Sequence, residues 1–277
     1  MISFIKLLNF EFNRFFKFYL LIFILTTISQ LSGGFIIIRQ YLSRMHESIS
    51  EGRMSPENYI EQFGKMTIFE ILYSYSFTIP IAIGATGLLI YMFFIWYRDW
   101  FAKNAFIYRL LTLPINRMHL FWSKLCFMMI TVLGLVALQI VLLKVLSFMI
   151  KMMVPSMYRE DLLVQEVTAH YSSLNIIIPN TLLGFTIAYA LGFLFVIVIF
   201  TAILFERSFR IKGIIFGVMY VIFSFVLFLS PFIITIYAGK SYLYQDEYFY
   251  IGTVLWFVIL TMSLFISRYL LNKKVTV

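Results

Sequence analysis

The side chains able to do covalent, metal or phosphate chemistry are few and scattered. His46, His119 and His170 lie far apart and form no HExxH pattern. Cys126 is the one thiol, so neither an internal disulfide nor a cysteine-based zinc site can form. It sits inside an apolar run, where a lone cysteine acts as a small core residue. No GxSxG nucleophile elbow occurs, and no GxxxxGK[ST] phosphate loop. The expectation is a chain that is not an enzyme and carries no metal, cofactor or nucleotide of its own.

What the sequence does concentrate is positive charge between apolar runs. The segment Arg98–Lys124 carries Arg98, Lys103, Arg109, Arg117 and Lys124 against one acid, Asp99. Across all 277 residues, 62% are hydrophobic and 13% charged, whereas soluble domains are about half apolar and about a quarter charged. That surplus of apolar surface calls for lipid as the solvent. The net charge of +9 then reads as attraction to an anionic leaflet. No basic cluster is interleaved with stacking aromatics in a soluble segment, so nucleic acid is not an expected partner.

The elements that position these charges are predicted to be helices, and the fold class is an all-α polytopic membrane protein, a single transmembrane domain over 1–277. Residues 1–17 lack the compact apolar centre and cleavage site of a signal peptide. On a helix, Phe4, Leu8, Phe12 and Phe15 share one side, with Lys6, Arg14 and Lys17 largely opposite, the pattern of an interfacial amphipathic helix. Six apolar runs follow at about 18–38, 77–97, 125–146, 182–205, 214–237 and 250–271, each long enough for a hydrocarbon core of about 30 Å.

The intervening charges alternate in sign. Basic excess falls on the N-terminus, on Arg98–Lys124, on Arg207, Arg210 and Lys212, and on the tail with Arg268, Lys273 and Lys274. Acidic excess falls on the outer loops 39–76 and 147–181 and on Asp246 and Glu247. The positive-inside rule places both termini and the 98–124 segment in the cytoplasm. Ser55-Pro56-Glu57 and Pro155-Ser156 predict short helices in the outer loops, lying on the outer leaflet or over the outer mouth. Pro231 predicts a break in the fifth run, with a re-entrant or interfacial piece after it.

None of the six runs contains Asp or Glu. Carriers coupled to protons or sodium need an ion site at mid-depth, so this argues against a secondary carrier. Lys144, near the outer end of the third run, is expected to snorkel to the interface, and Gln139 to hydrogen-bond between helices. Energy for transport would have to come from a partner.

The centre of the basic segment reads Tyr108-Arg109-Leu110-Leu111-Thr112-Leu113-Pro114-Ile115-Asn116-Arg117, with Lys124 opening the next run. It resembles the link between the second and third spans in membrane subunits of type-2 exporter ABC transporters. Six spans, cytoplasmic ends and an N-terminal interfacial helix also belong to that family. The resemblance implies a coupling segment that docks on a separate ABC ATPase through Arg109, Leu110, Leu111, Pro114, Asn116 and Arg117. It also implies ATP and Mg on that ATPase, and a second permease copy or paralogue completing a dimer in a cell membrane, such as a bacterial plasma membrane. Leu31-Ser32-Gly33-Gly34 matches the opening of the ABC ATPase signature but sits in the first run with no phosphate loop, so close helix packing is its expected use. The expected cargo is amphipathic, a small or antimicrobial peptide or a lipid. The alternative is a non-transporting scaffold, sensor or immunity protein.

Overall fold

The computed structural model describes residues 2–50, 54–101, 116–238 and 244–274. Among them there is no strand, only one isolated bridge between Met66 and Arg159. The helices are α1 (Ile2–Ser50), α2 (Pro56–Phe63), α3 (Ile68–Leu72), α4 (Tyr75–Phe101), α5 (Met118–Met153), α6 (Val164–His170), α7 (Ser172–Ile177), α8 (Leu182–Phe209), α9 (Ile211–Ala238) and α10 (Gln245–Tyr269). A 3₁₀ turn covers Ser156–Tyr158, and a π-helical turn, Leu270–Lys274, continues α10. Six of the helices, α1, α4, α5, α8, α9 and α10, are long and apolar enough to cross a membrane, the pattern of a multi-pass membrane protein. Each predicted apolar run lies inside one of them. Large apolar side chains on them, such as Leu21, Ile90, Phe225 and Phe265, stay exposed, as a lipid solvent requires.

Several helices run further than their apolar cores. α1 passes through residues 17 and 18 unbroken, so residues 2–17 and the first apolar run form one helix. It also continues past Ile38 because Ile38, Tyr41 and Met45 keep one face apolar and buried at helical spacing. Two helices carry an internal proline. Pro80 cannot donate to the Ser76 carbonyl, and the Ser29 hydroxyl donates to it instead at 2.9 Å. Pro231 likewise frees the Leu227 carbonyl, which accepts from the Ser230 hydroxyl at 2.8 Å. With that group satisfied, α9 continues to Ala238 and does not break at Pro231 as expected.

The chain packs as two compact units. One comprises Phe12–Leu89 and Ile130–Phe185. Its core joins Ile38, Tyr41 and Met45 of α1 to Leu143, Leu146 and Ile150 of α5 and to Tyr59, Met66, Ile71 and Val167 from the two loop regions. The loops are stitched together by Met66 N–H donating to the Tyr158 carbonyl at 2.8 Å and Glu160 N–H donating to the Met66 carbonyl at 3.0 Å. The Tyr41 hydroxyl lies 3.2 and 3.1 Å from the carbonyls of Gly64 and Tyr158. The short helices therefore rest on the protein's own helix extensions.

In the same unit, a Cβ at Gly33 would fall 2.0 Å from Ser76 Oγ, and one at Gly34 2.6 Å from a Leu146 methyl. That is the close packing expected of the Leu31–Gly34 tetrapeptide. Gln30 donates to Gln139 Oε1 at 3.1 Å, the interhelical bond expected of Gln139, while Lys144 is exposed.

The other unit comprises Met1–Glu11, Ile90–Met129 and Thr186–Val277. α8 and α9 form a hairpin whose only intervening residue is Arg210, held at φ 54°. A Cβ at Gly213 would meet the Phe205 carbonyl oxygen at 2.1 Å, and one at Gly217 the Ala202 carbonyl oxygen at 2.8 Å. This Gly-x-x-x-Gly pair lets the backbones touch. A hydroxyl seam adds polar ties: Tyr220 to Ser263 at 2.5 Å and Thr201 to Ser267 at 2.9 Å.

Gly213→Ala places a methyl against a backbone carbonyl that cannot swing aside. It is expected to destabilise the chain by about 1–3 kcal/mol, read as a lower melting temperature in detergent, with Gly252→Ala, where nothing lies within 4 Å, as the neutral control. Burial pushes the Glu70 carboxyl on α3 above the usual carboxylate range, with Arg44 pulling it partly back. The folded chain thus holds that proton more tightly than the unfolded one. Its contribution is complete below the ordinary carboxylate range and is lost as pH rises through the raised value. Glu70→Gln is expected to raise the melting temperature at neutral pH and leave it unchanged in acid.

Candidate functional site

Lys124 lies in the second turn of α5, within reach of α4 and of the first turns of α1. It is fully buried, as is Asp99, and Glu11 is nearly so. The ammonium has three N–H donors and meets three acceptors: Glu11 Oε1 at 2.6 Å, Asp99 Oδ2 at 2.5 Å and the Ile95 carbonyl at 3.0 Å. Ile95 and Asp99 are one turn apart on α4 and therefore face the same way. Glu11 uses its other oxygen, Oε2, to accept from Arg98 Nη2 at 2.8 Å. Among the described residues the network joins two acids to two cations. Trp96 covers the ammonium at 5.4 Å and Tyr91 the Arg98 guanidinium at 5.6 Å.

Counted along the chain, these four groups look like independent flanking charges of separate apolar runs. The structure instead gathers them into one cluster fixing α1, α4 and α5 in a single unit. Two of the five cations of the 98–124 segment, Arg98 and Lys124, are thus engaged internally and cannot meet an acidic partner unless the network breaks. Both carboxylates face cations, so the arrangement positions helices and offers no idle acid or base. Among the described residues, no group of three or more His, Cys, Asp or Glu side chains could hold a metal ion.

Of the six residues predicted to dock on a partner, Arg109, Leu110, Leu111 and Pro114 lie outside the described residues. Asn116 is exposed, and its side-chain oxygen accepts from Met118 N–H at 3.0 Å, capping the start of α5. Arg117 is half-buried, and its Nη1 donates to the Leu271 carbonyl in the π-helical turn at 2.7 Å. The end of the link is thereby tied to the Leu270–Lys274 turn.

A second cluster lies in the same unit. The Tyr97 hydroxyl donates to Glu206 Oε2. The Arg207 guanidinium is caged by the rings of Tyr97 and Phe101, each at 4.6 Å, and Trp100 at 5.7 Å. The sequence signal for both clusters was the acid left in an otherwise basic flank, Glu11, Asp99 or Glu206, each within a residue or two of an Arg or an aromatic ring.

Lys124→Met removes one cation and leaves Glu11 and Asp99 buried against it. Breaking a buried pair in this way is expected to cost about 3–5 kcal/mol, read as a large fall in melting temperature. Adding Asp99→Asn to it is expected to recover much of the loss, because Glu11 then keeps Arg98 as its counter-ion and the charges balance again. No protein-family model, curated protein or solved structure matches the chain.

Proposed function

We propose that the chain is the membrane-spanning, permease subunit of an ATP-driven exporter of the type-2 ABC class. It works as a dimer with a second permease copy or paralogue, in a bacterial plasma membrane with both termini in the cytoplasm. A separate ATPase carrying ATP and Mg drives it by pushing on the segment between α4 and α5. The cargo is amphipathic, a small or antimicrobial peptide or a lipid.

The observation that carries this reading is the pairing of that segment's sequence with its anchorage. The Leu110-Leu111-x-Leu113-Pro114-Ile115-Asn116-Arg117 pattern lies in the link between two candidate spanning helices. The helix turns at either end of the link hold Asp99 and Lys124, which are bonded to each other, and Glu11 extends the tie to α1. A push on a link so clamped moves helix ends together and does not dissipate in a loose hinge. Apolar residues on either side of a turn-fixing proline suit a groove on a partner, and the basic residues beside them suit an acidic rim.

The test is purification in mild detergent followed by an ATPase assay. An ATPase subunit is expected to copurify, and Pro114→Ala together with Arg117→Ala to lower its activity at least about tenfold, as loss of roughly 1.4 kcal/mol of coupling would. Purification with no nucleotide-binding subunit, or full activity in the double variant, would overturn the reading. Absence of the ATPase subunit would favour a scaffold, sensor or immunity role, which also tolerates substitution in this segment.

A further inference from the structure

In the unit that holds α8, α9 and the end of α4, these helices leave an apolar groove of about 280 Å³. Ile199, Ile203 and Gly217 form its buried floor, and Phe93, Val218 and Ile222 its exposed walls. Residue order along all three helices runs the groove away from the α8–α9 turn. The end nearest that turn is polar, with Tyr97 donating to Glu206.

Just beyond that end the turn is strongly basic. Arg207, Arg210 and Lys212 fall within six residues, and Lys274 Nζ, 5.8 Å from the Phe209 ring, brings a fourth cation to the end of α8. Arg210 and Lys212 are exposed, and neither has an acidic partner among the described residues. Arg207 Nη2 faces Glu206 Oε1 at 3.4 Å, and its Nε is buried without a hydrogen-bond acceptor among the described residues. Buried guanidinium donors are costly to leave unmet. Glu206 offsets one charge, and the excess remains positive.

An apolar trough opening onto a positively charged rim matches an amphiphile with an acidic head. At about 280 Å³ the groove lies just below the roughly 300–1,000 Å³ of ligand pockets, room for part of one acyl chain. We infer that the groove and the α8–α9 turn bind an acidic phospholipid, with an acyl chain along Ile199, Ile203 and Val218 and the phosphate against the exposed Arg210 and Lys212. Anionic lipid is attracted by each nearby Lys or Arg. The site uses none of the residues assigned to partner docking, so it stands whether or not an ATPase drives the chain.

The experiment uses the full chain in uncharged detergent, titrated with phosphatidylglycerol, phosphatidylcholine or inorganic phosphate. Bound lipid is counted by native mass spectrometry and stability is read as melting temperature. Phosphatidylglycerol is expected to bind in preference to phosphatidylcholine and to raise the melting temperature, while inorganic phosphate does neither. The double variant Arg210→Gln with Lys212→Gln is expected to lose about tenfold or more of the phosphatidylglycerol affinity, the effect of two surface cations. Arg210→Lys with Lys212→Arg keeps the charge and is expected to keep the preference. Val218→Trp, which fills the groove from an exposed position, is expected to weaken binding with the charges intact. Unchanged preference in the neutralised variant overturns the site, as does stabilisation by inorganic phosphate equal to that by lipid, or lipid binding indifferent to Val218→Trp.

Discussion

An ammonium can leave water only if acceptors replace the water it gives up, and this constraint governs the end of the molecule that carries Lys124. Its three donors find two carboxylates and one backbone carbonyl. Because the carboxylates come from α1 and α4, burying the ammonium fixes the mutual placement of three helices. Each carboxylate is in turn costly to bury without its cation, so the groups are stable only as a set. The adjoining Arg98 pairs with the other oxygen of Glu11.

The same logic, that every polar group taken from water must be answered, recurs through the apolar helices. The two internal prolines each orphan a carbonyl, and a serine hydroxyl answers both, Ser29 for Ser76 and Ser230 for Leu227. Gln30 and Gln139 answer each other in one unit, and the Tyr220, Ser263, Thr201 and Ser267 hydroxyls do so in the other. Close backbone approach is reserved for glycine: Gly33 against Ser76, Gly213 against the Phe205 carbonyl. In lipid, where exclusion of water gives helices little reason to associate, such polar ties and small-residue contacts carry specificity.

Hydrophobic run length made the six long helices legible, because a segment that must satisfy its backbone inside lipid has little choice but helix. The packing roles of Gly33, Gly34 and Gln139 were legible for the same reason: small and polar residues in such runs have few other uses. The ion network was not, because Glu11, Asp99 and Lys124 are separated by 88 and 25 residues and each sits where a flanking charge is ordinary. Only three-dimensional proximity distinguishes a solvated flank from a buried one. The loop helices were foreseen at Ser55-Pro56, where Ser55 does cap α2, but their support was not, since contact between Met66 and Tyr158 depends on long-range packing. The persistence of α9 beyond Pro231 rests on a hydroxyl on the preceding residue, Ser230, a local detail that the proline rule overlooks.

The account rests on Lys124 being sealed within its network, and residue-resolved labelling measures that directly. The intact chain in detergent is treated with a water-soluble amine-reactive reagent, and modification of each lysine is followed by mass spectrometry. Lys212, exposed at the start of α9, should label readily, whereas Lys124 should stay unmodified until the chain unfolds. Labelling of Lys124 in the folded protein at a rate comparable to Lys212 would contradict the account.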